Sequence, residues 1–203
     1  MEPAVTRPIV LASTSRYRRA LLERLGLSFG TVSPRVDETR LPGEAPEALV
    51  RRLAEAKARA VIEANPDALI IGSDQVACID DQVLGKPGGR ERAIEQLGRA
   101  SGRVVTFLTG LCLLDAASGE ASTLVEPFRV HFRALGPEQI AGYVDREQPF
   151  DCAGSFKSEG LGIALFERME GDDPNALVGL PLIRLISMLQ RAGVDPLHSL
   201  PED

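Results

Sequence analysis

Four stretches of this 203-residue chain break the local rules of the segments around them. Each break puts a charged or hydroxyl group where a reaction could use it. The first is Ser13-Thr14-Ser15-Arg16-Tyr17-Arg18-Arg19. Small hydroxyl residues follow an apolar run, and three arginines crowd the first turn of the helix that comes next. Cations there oppose a helix dipole that favours anions by about 0.3–1 kcal/mol each, and the free N–H groups of that end point outward. A bound phosphate resolves both conflicts; the alternative is a solvated basic turn with its arginines splayed away. The second is Lys57, with Leu53, Ala60 and Val61 at −4, +3 and +4. That spacing sets the lysine on the apolar stripe of a helix. Facing inward it needs a partner, unless its stem packs and its head reaches water. The third is Gly72-Ser73-Asp74-Gln75, a polar tetrapeptide between apolar strand segments. Aspartate is disfavoured in strand interiors, so Asp74 must meet a cation, a metal or several N–H donors, or else sit in a bulge and cap local amides. Gly72 lets a ligand approach the backbone. The fourth is a pair of glycine-bounded loops, Gly85-Lys86-Pro87 and Ser155-Phe156-Lys157-Ser158-Glu159-Gly160, to which Val36-Asp37-Glu38 adds two acids. Taken singly, these read as ordinary surface loops.

Together the four supply several cations for polyphosphate oxygens and carboxylates for a divalent ion. Mg²⁺ is usually held by one or two carboxylates plus substrate phosphates. No cysteine or histidine nucleophile is offered. The set suits metal-assisted attack of water on a phosphoanhydride rather than covalent catalysis. Other chemistries have no motif here: there is no G-x-x-x-x-G-K-[ST], no H-E-x-x-H and no G-x-S-x-G, and Gly160-Leu-Gly162 lacks the third glycine of a dinucleotide fingerprint. Lys and Arg number 23 against 29 Asp and Glu, a net charge of −6, which argues against a nucleic-acid partner held by broad positive charge. No apolar run approaches the roughly 18 residues of a membrane helix, and the start, Met-Glu-Pro-Ala-Val-Thr-Arg-Pro, carries no signal-type apolar stretch. Cys78, Cys112 and Cys152 are odd in number and far apart. They are expected to be buried, reduced thiols of a cytoplasmic protein, and two histidines cannot complete a zinc cluster with them.

The elements that must carry these groups alternate. Strands are expected at Ile9–Ala12, Ser28–Ser33, Leu69–Ile71 continuing through Val76–Ile79, Val104–Leu114, Ser122–Phe132 and Gly162–Arg168. Helices are expected around Leu21–Leu25, from Pro46 to about Asn65, and over Glu91–Ala100, Pro137–Arg146 and Pro181–Ala192, with Gly26 and Gly193 as stops. Asp80-Asp81 reads as a hairpin tip. The pattern is α/β, a mixed sheet with helices on its faces. Residues 1–7 and 196–203 are expected to be loose tails of one domain. With 7 Phe, 2 Tyr and no Trp, the core is expected to be aliphatic.

These same residues resemble the motifs of Maf-like nucleotide pyrophosphatases, in order: Leu11-Ala12-Ser13-Thr14-Ser15 with Arg18-Arg19, Val36-Asp37-Glu38, Lys57, Gly72-Ser73-Asp74-Gln75, Gly85-Lys86-Pro87, Thr109-Gly110, and Gly154 to Gly160. The likeness spans about Pro8 to Pro196. Cys152 to Gly160 and Asp173 to Pro181 look like the branch that acts on 7-methyl-GTP. The resemblance implies an elongated mixed β-sheet with flanking helices and two lobes around a cleft, related to inosine triphosphate pyrophosphatases. It implies hydrolysis of a nucleoside triphosphate to the monophosphate and pyrophosphate with a divalent cation, Mg²⁺, Mn²⁺ or Co²⁺. Asp74 matches the family's proton acceptor. Glu38 and Lys57 are expected to complete the catalytic set, with Glu38 and Asp74 as metal ligands. Ser13, Arg18, Arg19, Lys86 and Lys157 are expected to bind substrate. Tyr17, Gln75 and Glu159 separate this branch from the dTTP/UTP branch, where Arg, Thr and Gln are typical. An aromatic face attracts a cationic methylated base by roughly 0.5–2 kcal/mol, and Glu159 can accept from guanine N–H groups. Tyr17 could equally pack on its helix, and Glu159 could pair with Lys157. Arg16 stands where the family often has Pro, and Gly88-Gly89 replaces a Thr-type cap. Family members are often homodimers, and the family has been associated with septum formation. The rivals are therefore a pyrophosphatase of other modified or canonical triphosphates, or a nucleotide-binding regulator without turnover.

Overall fold

The computed structural model describes residues 7–80 and 82–198. Seven strands form one sheet, ordered β2 (Gly30–Val32), β1 (Ile9–Ala12), β3 (Leu69–Ile79), β5 (Val104–Asp115), β6 (Ala121–Phe132) and β7 (Phe166–Glu170), with β4 (Gln82–Leu84) folded back along the end of β3. β1 runs parallel to β2 and β3; the other pairs are antiparallel. The polar tetrapeptide is neither an interruption nor a bulge. β3 is continuous through it, with Asp74 opposite Gly110 in unbroken register.

Three long strands make the sheet a spine with a lobe at each end. Because successive residues of a strand face opposite sides, Leu69 and Ile71 of β3 join a core with α1 (Arg16–Glu23) and α6 (Leu182–Arg191), while Ile70 joins α2 (Pro46–Arg59) on the other face. The far half of β3, through Ala77 and Ile79, packs with α3 (Arg90–Ala100), α4 (Pro137–Glu147) and α5 (Asn175–Val178). Asp74 is the sixth of eleven residues in β3, between the two lobes.

Some expectations shift. The second helix stops at Arg59 and gives way to turns before Asn65. The strand expected over 162–168 begins only at Phe166, after a 3₁₀ segment Leu161–Leu165, and α5 carried no periodic signal because it is one turn long. The core is not purely aliphatic. Phe107, Phe132, Phe156 and Phe166 stack edge-to-face at 4.7–5.6 Å in the far lobe, so a sparse aromatic set is concentrated where a small lobe needs large side chains. Arg7 is not loose: its guanidinium grips both carboxylate oxygens of Asp115 at 2.5 and 2.6 Å. Asp80 turns the hairpin with φ +46°; Asp81, and the tail residues 1–6 and 199–203, lie outside the described residues.

Candidate active site

The site is set by how closely α2 lies on the sheet. A Cβ built on Gly72 would strike the backbone oxygen of Ala54, and one on Gly110 that of Val50. Only glycine at these two strand positions lets the helix backbone rest on the ladder. Lys57, one turn beyond Leu53, is thereby brought over Asp74. Both side chains are about nine-tenths buried, and Lys57 Nζ donates to Asp74 Oδ1 at 2.7 Å. The same ammonium lies 2.9 Å from Glu38 Oε1, whose side chain is 60% exposed. The lysine of the apolar stripe therefore turns its head inward to two carboxylates, not out to water.

Glu38 is held at that distance by its loop. Asp37 accepts from the Thr39 amide at 2.9 Å. Glu44 receives Arg52 of α2 on both carboxylate oxygens, at 2.6 and 2.8 Å, and also the Leu41 amide. The Arg52 guanidinium holds the Glu44 carboxyl well below the usual range, at about 2. Glu44 is a site-supporting residue with little signal in the sequence, only an acid eight residues before an arginine.

On the other side, Ser15 caps α1 by accepting from the Arg18 amide, and Ser13 Oγ accepts from the Ser15 amide at 3.1 Å. Arg18 folds back, donating to the carbonyls of Gly179 and Ser73 at 2.9 Å each. Burial lowers its pKa from the ordinary arginine value, while the charges of Asp74 and Glu38 oppose that shift; an arginine remains a cation throughout. The segment from Asp173 to Pro181 works as a bracket of backbone carbonyls. Gly179 O also accepts from Ser73 Oγ; Ala176 O accepts from Thr109 Oγ1 at 2.9 Å and from Gln75 Nε2 at 2.6 Å. The buried Asp173 carboxylate fastens the bracket, taking the amides of Asn175 and Ile183. Carbonyls leave no residue-type signature, so the segment is recognisable in the sequence while its role is not.

Between the lobes lies one cleft with two chambers. The larger, about 480 Å³, is walled by Ser13, Arg18, Glu38, Lys57, Asp74 and Lys86. The smaller, about 150 Å³, is walled by Tyr17, Phe107, Phe156, Glu159 and Leu177. Gln75, Tyr17 and Lys86 border both. Tyr17 is not a packing residue alone: its ring faces the cleft, with the Arg16 guanidinium 4.8 Å from its centroid. Glu159 is exposed and takes the Ser158 hydroxyl, not Lys157. Cys78 and Cys112 are buried as expected, but Cys152 is half-buried and lines the smaller chamber.

Two expected substrate ligands are directed elsewhere. Arg19 points off the cleft and pairs with Glu23 one turn on, at 2.9 Å. Lys157 donates its ammonium to the Glu147 carbonyl at the end of α4, at 2.6 Å, where unpaired carbonyls favour a cation. Among the described residues no group of three or more His, Cys, Asp and Glu is arranged to hold a metal. The donor set still fits an ion shared with a substrate. Among the described residues Asp74 Oδ2 and Glu38 Oε2 take no hydrogen bond, and both side chains line the larger chamber. Two carboxylates completed by phosphate oxygens make a usual Mg²⁺ site.

The arrangement of sheet and lobes is shared with the solved structure of the Staphylococcus aureus Ham1 protein, with a TM-score of 0.53 over 93% of this chain and 100% of that one, at 15% identity. Residues 8–192 match the model of the Maf-like protein family, and the chain belongs to that family. It is 61% identical over 185 residues to the 7-methyl-GTP pyrophosphatase of Nitrosococcus oceani, covering 91% of this chain and 93% of the relative. It is 58% identical to the protein of that name from Alcanivorax borkumensis, covering 93% and 96%. With its counterpart from Pseudoalteromonas translucida the figure is 54%, covering 95% of each. Among the described residues no helix is long and apolar enough to cross a membrane.

Proposed function

We propose that this chain is a nucleoside triphosphate pyrophosphatase that converts 7-methyl-GTP to 7-methyl-GMP and pyrophosphate, clearing a modified nucleotide. The observation that carries the reading is Asp74: buried mid-strand, one carboxyl oxygen tied to Lys57, the other open to a chamber bordered by Arg18 and Lys86. The relatives' shared name supports the substrate.

In this reading the triphosphate lies in the larger chamber. Arg18, its guanidinium fixed by two carbonyls, and Lys86 neutralise phosphate oxygens. Lys57 fixes the rotamer of Asp74 and keeps its charge tolerable in a nearly dry site. Asp74 Oδ2 then accepts the proton of the water that attacks the α-phosphorus, a general-base role. A divalent cation, Mg²⁺, Mn²⁺ or Co²⁺, held by Glu38 and Asp74 with the phosphates, would supply charge neutralisation for the leaving pyrophosphate. In the smaller chamber Tyr17 offers an aromatic face to a cationic base, and Glu159 accepts its N–H groups.

The test is pyrophosphate release by purified protein with each metal over 7-methyl-GTP, GTP, UTP and dTTP. The expected result is the highest kcat/KM on 7-methyl-GTP, and loss of at least about a thousandfold in kcat for Asp74→Asn. Tight binding with no release would leave a regulator; a preference for UTP or dTTP would move the chain to the other branch.

A further inference from the structure

The two chambers have six lining residues in common, and among the described residues Asp151 is the one acid of the six. The junction has a fixed meaning if the proposed function holds. In a nucleoside triphosphate the sugar joins base to phosphates. With the phosphates beside Asp74 and Lys57 and the base beside Tyr17 and Glu159, the sugar crosses where Asp151 stands.

A carboxylate next to a polyphosphate is repelled by it, so its neighbour should be a donor and not an anion. A sugar hydroxyl is such a donor, and a carboxylate that accepts from the 2′-hydroxyl is a recurrent device of nucleotide sites. The side chain is free to do this. Asp151 is 58% exposed, and its Oδ2 lies 3.9 Å from Arg16, a solvent-screened pair that is easily given up. Its Oδ1 accepts the thiol hydrogen of Cys152 at 3.4 Å. Burial, then the Asp151 charge, push the Cys152 thiol up to about 12, so it stays a donor at neutral pH. Oδ1 is thus taken by a thiol at the wall of the smaller chamber, and the Oδ2 contact with Arg16 is the one that a sugar hydroxyl would replace.

We infer that Asp151 reads the sugar of the substrate, accepting from the 2′-hydroxyl and making the site selective for ribonucleotides over 2′-deoxyribonucleotides. The inference rests on the proposed function for the order of phosphates, sugar and base in the cleft, but its readout is separate. The experiment compares 7-methyl-GTP with its 2′-deoxy counterpart, by turnover with Mg²⁺ and by calorimetric binding in EDTA. Wild type should favour the ribonucleotide by about tenfold or more, the size of one hydrogen bond to a charged group. Asp151→Ala should bring the ratio to within about twofold of one, by weakening the ribonucleotide. Asp151→Asn, which keeps an acceptor oxygen, should retain part of the preference. A wild-type ratio near one, or an Asp151→Ala protein that keeps the wild-type ratio, overturns the assignment. Sugar-selective binding without pyrophosphate release upholds it and overturns the proposed activity; release without sugar preference does the reverse. Neither binding nor release overturns both.

Discussion

At the residue scale the site is a charge chain, Glu38–Lys57–Asp74, and its two ends are unequal. Glu38 is largely solvated, while Asp74 is nearly buried. Asp74→Asn leaves Lys57 with Glu38 as counter-ion. Lys57→Met leaves two carboxylates facing each other and strips the Asp74 carboxylate of the hydrogen bond from Lys57. Breaking a buried pair from one side costs about 3–5 kcal/mol; the exposure of Glu38 and the open side of Asp74 reduce that here to about 2 kcal/mol. Both variants should lose turnover, yet Lys57→Met should be the less stable in urea unfolding at neutral pH. The opposite order would mean that Asp74 does not depend on Lys57 for its charge.

Lys57 and Asp74 are legible because each violates a local rule, a lysine on an apolar stripe and an acid inside a strand, whereas Glu38 sits in a loop that reads as an ordinary solvated turn and stands out only through the family resemblance. Arg18, in a helix turn that opposes the dipole, and Lys157, in a glycine-bounded loop that reads as ordinary surface, are both expected to bind substrate and fare differently. Which way a long side chain folds depends on acceptors brought in by distant segments, Gly179 O for one and Glu147 O for the other. The pairing of Arg19 with Glu23 is legible as an i,i+4 spacing, and it separates Arg19 from the other arginines of that turn.

At the element scale the decisive contact is α2 on β3 and β5. The sequence marks it with Gly72 and Gly110, but their meaning emerges only once the helix crosses above them. The side chain of alanine at position 110 would meet the Val50 carbonyl, and the helix would have to lift, drawing Lys57 away from Asp74 across the ladder. Gly110→Ala should therefore destabilise the protein by about 1–3 kcal/mol, the usual cost of overpacking, and lower kcat while the protein is still folded. Gly98→Ala is the control: it lies exposed on α3 with open space for a Cβ, and alanine there should stabilise by up to about 1 kcal/mol through helix propensity. Urea midpoints and kcat at saturating substrate check both. A Gly110→Ala protein with wild-type turnover would break the link between helix height and site geometry.

At the scale of the whole molecule, the two lobes have separate cores but not separate strands. Leu69 and Ile71 lie in one core, Ala77 and Ile79 of the same strand in the other, and β5 and β6 likewise run the full length beside β3. This part of the architecture was only half legible: strand lengths could be read, but not that one strand would serve two cores with the reactive acid at its midpoint. The arrangement has a mechanical consequence. If one lobe opened, the half-strands of the other would keep their ladder partners only by fraying a continuous hydrogen-bonded pair, so neither lobe has a boundary at which unfolding can stop. The chain should then unfold as one cooperative unit, with coincident urea transitions by far-UV circular dichroism and by thiol labelling of buried Cys78 and Cys112. Amide exchange along β3 should show one protection level on both sides of Asp74. Two separated transitions, or a β3 protected on one side only, would mean that the cleft divides two independent folding units and that Asp74 sits on a hinge instead of a rigid spine.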